Sequence, residues 1–265
     1  MGPKRGINSV VMKRGLRLIG LLALAVSLTG CIYWIRAYQT YLQMGEFDRY
    51  FSVAAADDFT LEFKKPIMYS QDFVSLAKLY PSENDATPEG RRFRYWFRKV
   101  DSHNQVIKPE IKFYSELTFN KEDLITSWSF SPLFLQIAPP KFLEVSLRSI
   151  GGAEIDKEKQ QLRANTDLLE KISADLPRKP AVVAHLGAPL EVQVEKENEV
   201  YIYHFLLETH GIEEGYEDRA LSEVKLTFDK STQELVRMAG RFAGLKVSIN
   251  YRKFLDNASE SAKAS

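Results

Sequence analysis

Apolar residues recur along this chain at two spacings. Every third or fourth position predicts a helix, and single alternation predicts a half-buried strand. Residues 36–51, RAYQTYLQMGEFDRYF, place Tyr38, Tyr41, Leu42, Phe47, Tyr50 and Phe51 at roughly helical spacing. A helix with this aromatic stripe in the core is expected there. Ala54-Ala55-Ala56-Asp57-Asp58 breaks it, and Phe59 to Phe63, FTLEF, alternates as a strand does. Ser70 suits the cap of a short helix from Asp72 to Leu79, with the acid in its first turn and Pro81 as its stop. Residues 81–92, PSENDATPEGRR, read as an exposed loop.

Strand spacing then dominates. Phe93, Tyr95 and Phe97 share one face, and Ile111, Phe113, Ser115, Leu117 and Phe119 alternate against polar neighbours. This is a half-buried antiparallel pattern. Leu124 to Phe130 supplies a third strand. Pro139-Pro140 opens a helix that Gly151-Gly152 ends. Ile155 to Asp175 reads as a charged surface helix with Leu162, Leu168, Leu169 and Ile172 inward.

The second half repeats the order. A short helix, Ala181 to Leu186, precedes Val200 to Phe205. Leu226-Thr227-Phe228 echoes Leu117-Thr118-Phe119, and Leu235 to Ala239 echoes Leu124 to Trp128. Tyr201, Tyr203 and Phe205 stand 108 residues after Phe93, Tyr95 and Phe97. An internal duplication follows. The fold class expected is α+β: a duplicated helix plus three-stranded antiparallel meander, with the helices on one face of the sheet.

The N-terminus reads differently. Lys4, Arg5, Lys13, Arg14 and Arg17 precede the apolar run Leu18 to Cys31, and no acid occurs before Cys31. A cationic segment, an apolar segment and small residues make a secretory signal. Leu28-Thr29-Gly30-Cys31 resembles the lipobox of bacterial lipoproteins. That resemblance implies acylation of the Cys31 thiol, cleavage before it and acylation of the new amino terminus. Ile32 stands where an aspartate would retain such a protein in the inner membrane, which favours the periplasmic face of the outer membrane. The competing reading is an uncleaved signal anchor. Ile32-Tyr33-Trp34-Ile35 extends the apolar run, and Leu18 to Ile35 as a helix spans roughly 27 Å, enough for a hydrocarbon core.

These readings divide the chain into a signal peptide (1–30), a lipid-anchored spacer helix (31–58), a first α+β repeat (59–152), a second (153–255) and a disordered polar tail (256–265). The second repeat has a resemblance of its own. Leu186-Gly187-Ala188-Pro189, then YIYHF, KLTFDK and LVRMAG, are similar to the small lipoproteins of the outer-membrane β-barrel assembly family, and through them to a tandem β-lactamase-inhibitor fold. The match covers about residues 165–240. It implies a non-enzymatic protein-binding module beneath the outer membrane.

Composition narrows the chemistry. The chain carries 36 Lys and Arg against 35 Asp and Glu. Removing the cationic leader leaves a mildly acidic body without the footprint of a nucleic-acid binder. Cys31 is the only cysteine, so neither a disulfide framework nor a cysteine metal cluster is expected. His103, His185, His204 and His210 have no ligand spacing. No GxSxG elbow occurs, GRFAG at 240–244 lacks the end of a phosphate loop, and the acids Glu213, Glu214, Glu217 and Asp218 lack EF-hand spacing. No catalytic residue, cofactor, metal or small-molecule substrate is expected. The densest basic patch puts Arg94 and Arg98 on the outer face of a strand with Trp96 between them, a candidate interaction surface for lipid head groups or an acidic protein. The reading is a membrane-anchored envelope lipoprotein, a binding or scaffold module held by lipid on Cys31 and meeting a protein partner in the envelope. The alternatives are an inner-membrane, signal-anchored periplasmic subunit of a larger complex, and a periplasmic enzyme with an unrecognised carboxylate site.

Overall fold

The computed structural model describes residues 32–55, 58–156, 161–163, 171–242 and 245–256. A helix over residues 32–44 (α1) and a single turn, Phe47–Tyr50 (α2), come first. Then follow β1 (Phe51–Ala55), β2 (Phe59–Phe63), α3 (Ser70–Ala77), β3 (Glu83–Thr87), β4 (Gly90–Val100), β5 (Lys112–Asn120) and β6 (Ile125–Phe130). Two short helices, α4 (Pro132–Leu135) and α5 (Pro140–Arg148), lead to a small hairpin, β7 (Glu154–Asp156) and β8 (Gln161–Arg163). The rest is α6 (Lys179–Leu186), β9 (Glu191–Val194), β10 (Asn198–Glu208), β11 (Leu221–Asp229), β12 (Leu235–Phe242), β13 (Leu245–Asn250) and a 3₁₀ turn, Tyr251–Phe254.

Eleven strands form one antiparallel sheet in the order β1-β2-β6-β5-β4-β10-β11-β12-β13, with β3 beside β4 and β9 beside β10. The sheet curls. Between β5 and β12 lie β4, β10 and β11, so a flat sheet would hold those two strands roughly 19 Å apart. Yet the rings of Phe113 on β5 and Phe242 on β12 are 5.9 Å apart. Phe134 of α4 stacks against Phe130 at 5.3 Å and touches Phe113 and Phe242, each at 5.7 Å. Alternation explains the curl's lining. Phe93, Tyr95 and Phe97 of β4, Phe113, Leu117 and Phe119 of β5, and Tyr203, Phe205 and Leu207 of β10 are all buried together. Each buried phenyl contributes roughly 2–3 kcal/mol.

The expected α+β architecture is overturned. The chain forms a largely β, half-barrel-like sheet with few helices, not a helix-plus-three-strand meander repeated with helices on one face. Three local readings fail with it. Residues 81–92 hold β3, whose polar run ENDAT pairs with β4 as a short outer strand. Residues 154–156 and 161–163 are strands of a hairpin, not helix; pairing there overrides helix-forming composition. β1 and β13 extend the sheet at its two ends where no strand was expected. Alternation marks a strand's two faces but not its neighbours, so the continuous sheet was invisible to it.

Strands from residues 59–152 and 153–255 meet in the β4–β10 pairing. There Trp96 faces Glu208, Arg98 faces Leu206 and Val100 faces His204. Those positions are mutually consistent with a two-fold centred on Arg98 and Leu206. β5 is bulged between Thr118 and Phe119, and β11 between Thr227 and Phe228. The sheet is therefore nearly symmetric about its middle, although it is a single sheet.

α1 lies against this body. Met44 is buried, Ala37 packs on the core, and the Tyr41 hydroxyl donates to the Ala153 carbonyl at 2.7 Å. Gly151 is required by this approach: a Cβ there would lie 2.2 Å from the Met44 carbonyl oxygen. The expected aromatic core stripe splits. Phe47 and Phe51 are buried, whereas Tyr38 and Leu42 face outward.

Candidate functional site

β4 puts Arg94, Trp96 and Arg98 together on the face turned away from the core. Trp96 is edge-on to Tyr114 of β5 at 5.0 Å and donates its indole N–H to Glu83 Oε1 at 2.8 Å. The Lys112 ammonium sits 4.4 Å from the Trp96 ring, and the Arg94 guanidinium 4.8 Å from that of Tyr114. Desolvation raises the Tyr114 hydroxyl above its usual range. The ladder is rigid, aromatic and densely charged.

It is also internally neutralised. Arg94 Nε donates to Glu116 Oε2 at 2.8 Å, and its Nη1 reaches Glu83 at 3.3 Å. Arg98 lies 3.2 Å from Glu110 and 2.7 Å from Glu208. Arg92 pairs with Asp85 at 2.6 Å and Arg91 with Asp123 at 3.8 Å. The strand's arginines thus have facing carboxylates from β3, β5 and β10, from the loop before β5 and from the β5–β6 turn. Composition shows the cations but not the acids that register brings opposite them. Such a face is not a free cationic patch.

Asp72, Lys99 and Glu234 are the buried charged residues among the described residues, and the sequence reading showed the burial of none of them. Asp72 on α3 is 0% exposed and accepts from Arg36 Nε of α1 at 2.7 Å and from the Tyr69 N–H at 2.8 Å. Arg36 Nη2 closes the second bond to the same carboxylate, and the guanidinium lies 4.8 Å from the Tyr69 ring. The pair fixes α1 to α3. Lys99 on β4 is 3% exposed; its ammonium donates to the Leu186 and Ala188 carbonyls, both at 2.6 Å. It caps the end of α6 and lies 5.1 Å from the Tyr203 ring. Burial pushes this ammonium below its usual range. Lys99 stands at a core-facing position of an alternating strand, the one signal that marked it in the sequence.

Open hollows mark the surface of the described residues. One, of about 430 Å³, is lined by Glu195, Asn198, Thr227, Arg237, Asn250 and Arg252 among others. The second, of about 330 Å³, is lined by Tyr80, Pro81, Asn84, His210 and Gly211. Neither brings two carboxylates together, the arrangement that would have marked an acid–base site. Among the described residues no group of three potential metal ligands occurs. His204 lies on the outer side of β10, 3.6 Å from Glu223. Cys31 lies outside the described residues. Among the described residues no helix is long and apolar enough to cross a membrane. No model of a protein family, no curated protein and no solved structure matches this chain.

Proposed function

We propose that this protein is an envelope lipoprotein: lipid on Cys31 holds it to a membrane, and its body acts as a non-enzymatic binding or scaffold module. The observation that carries this reading is the leader ending Leu28-Thr29-Gly30-Cys31, followed by residues 32–44 in a helix. Several acyl chains on one residue make a durable attachment, since each buried methylene contributes about 0.8 kcal/mol. The Arg36–Asp72 pair then ties the anchored helix to the sheet. The anchor would position the whole body, not merely tether it. Ile32 after the cysteine favours the periplasmic face of the outer membrane. The surface offered to a protein partner is the Arg94, Trp96 and Arg98 face.

One observation favours a second reading. Ile32, Trp34 and Ile35 are exposed on α1 and continue the apolar run from Leu18, as an uncleaved inner-membrane anchor would. Cys31→Ala separates the two. Under the lipoprotein reading this variant loses incorporation of labelled palmitate and leaves the membrane fraction. Retained membrane attachment, with no palmitate incorporated by the unaltered chain either, would instead support the anchor.

A further inference from the structure

The outward side of α1 is apolar and carries no charge. Ile32, Ile35, Tyr38 and Leu42, at 46%, 53%, 52% and 55% exposure, follow helical spacing. Gln39 is the only polar residue among the exposed positions from 32 to 44, and Trp34, at 66%, flanks the stripe. The opposite side holds Arg36 on Asp72, Thr40 and Met44. This helix is therefore amphipathic in reverse: its charge points into the protein and its apolar side points out.

Large apolar side chains left side by side on a surface mark a contact. The chain itself says which. The stripe starts one residue after Cys31, and everything between Leu18 and Cys31 is free of charge. If Cys31 carries lipid, residue 32 lies at the membrane surface; if Leu18 to Ile35 spans the bilayer, that surface falls near residue 35. A helix running on from there has two courses. It can leave along its own axis, exposing the stripe to water, or lie in the surface and bury the stripe. Burial follows the apolar area available, and aromatic residues such as Trp34 and Tyr38 favour the interfacial layer. Because α1 is locked to α3, a flat helix also fixes how the sheet faces the membrane.

We propose that α1 lies in the plane of the membrane, with Ile32, Ile35, Tyr38 and Leu42 at the boundary between head groups and acyl chains. This deepens the anchoring reading above and rests on it. The test uses the full chain, produced with its native N-terminal processing and reconstituted in vesicles of phosphatidylethanolamine and phosphatidylglycerol. Nitroxide labels are placed singly through Ile35→Cys, Tyr38→Cys and Leu42→Cys, with Val194→Cys on β9 as an exposed control. Collisions with oxygen and with a water-soluble nickel chelate report depth. A flat helix gives equal, oxygen-dominated accessibility at 35, 38 and 42 and nickel-dominated accessibility at 194. A helix leaving along its axis carries residue 42 roughly 10 Å beyond residue 35, so accessibility would turn aqueous between them and overturn the proposal while the anchor stands. Labels at all three sites that stay aqueous on floating vesicles also overturn it and assign the stripe to a protein. Protein that fails to float with the vesicles removes the anchoring reading itself.

Discussion

α3 and α6 occupy matching places in the two halves of the chain, yet they end alike and begin differently. Each helix exposes C-terminal carbonyls that need donors. At α3 Arg219 supplies them, donating to Leu76 and Ala77 at 3.0 and 2.9 Å. At α6 Lys99 supplies them to Leu186 and Ala188. Each cation comes from the other half of the chain, so the two caps also hold the halves together. The beginnings diverge. α3 starts with Asp72, which closes a capping box and receives Arg36. α6 has Pro180 in its first turn, and Lys179 pairs sideways with Glu199 at 2.7 Å. The shared ends serve the fold. The unshared beginning is where α1 attaches to the body.

Breaking that difference has the largest expected effect. Arg36→Ala leaves the Asp72 carboxylate buried without its cation and costs about 3 kcal/mol or more. Urea unfolding measures the loss, and hydrogen exchange over residues 32–44 shows α1 detached. Unchanged protection of α1 would mean that the pair does not hold it.

The caps come next. Lys99→Ala removes a buried charge that satisfies two carbonyls, with an expected loss of about 2–3 kcal/mol. Arg219→Ala, at a half-exposed site, costs about 1 kcal/mol. Equal losses in urea titrations of the two variants would deny that burial separates them.

The turns of the two halves differ in charge. Between β5 and β6 the neutral Asn120 Oδ1 accepts one bond, from the Leu124 N–H at 2.9 Å. Between β11 and β12 Asp229 accepts from the Ser231 hydroxyl, from the Ser231 and Thr232 N–H groups and from Arg252. These bonds, the Ser231 hydroxyl foremost, hold its carboxyl well below the usual range. A depressed carboxyl stabilises the fold above its unfolded value, about 3.9, and that contribution disappears as pH falls through the folded value. Asp229→Asn therefore costs about 1–2 kcal/mol at pH 7, shrinking below pH ~4. Asn120→Ala costs about 1 kcal/mol with a flat pH profile. Parallel profiles for the two variants would contradict this assignment.

The smallest contrast is between two core tyrosines. The Tyr203 hydroxyl donates to the Gly187 carbonyl at 3.2 Å, whereas that of Tyr95 has no hydrogen-bond partner among the described residues. Tyr203→Phe is expected to cost about 1 kcal/mol, and Tyr95→Phe nothing or a slight gain. Thermal melts of both resolve it. A larger loss from Tyr95→Phe would reveal a partner for that hydroxyl.

Legibility in the sequence followed the range of the interaction. β4, β5, β6, β10, β11 and the core of β12 showed themselves, because alternation is written into each strand's own residues. The starts of α5 and α6 showed in Pro140 and Pro180. The overall architecture did not, since β1, β3, β9 and β13 are recognised mainly by what they pair with. The outer face of β4 was readable as Arg94, Trp96 and Arg98. Its neutrality was not, because Glu83, Glu116 and Glu208 arrive from other strands and Glu110 from the loop before β5. Arg36 and Asp72 lie far apart in sequence, and nothing local announces their pairing. The stripe Tyr38, Tyr41, Leu42, Phe47, Tyr50 and Phe51 was visible as a spacing, but spacing alone cannot tell an inward face from an outward one, and Ile32 and Ile35 showed only as an extension of the apolar run.

The claim on which the account turns is the chemistry of Cys31. Intact-mass and N-terminal peptide analysis of the protein from native membranes reads it directly. The account predicts a chain beginning at Cys31, with acyl groups on its sulfur and its amino nitrogen. A chain that retains residues 1–30 and carries a free thiol at Cys31 would contradict it.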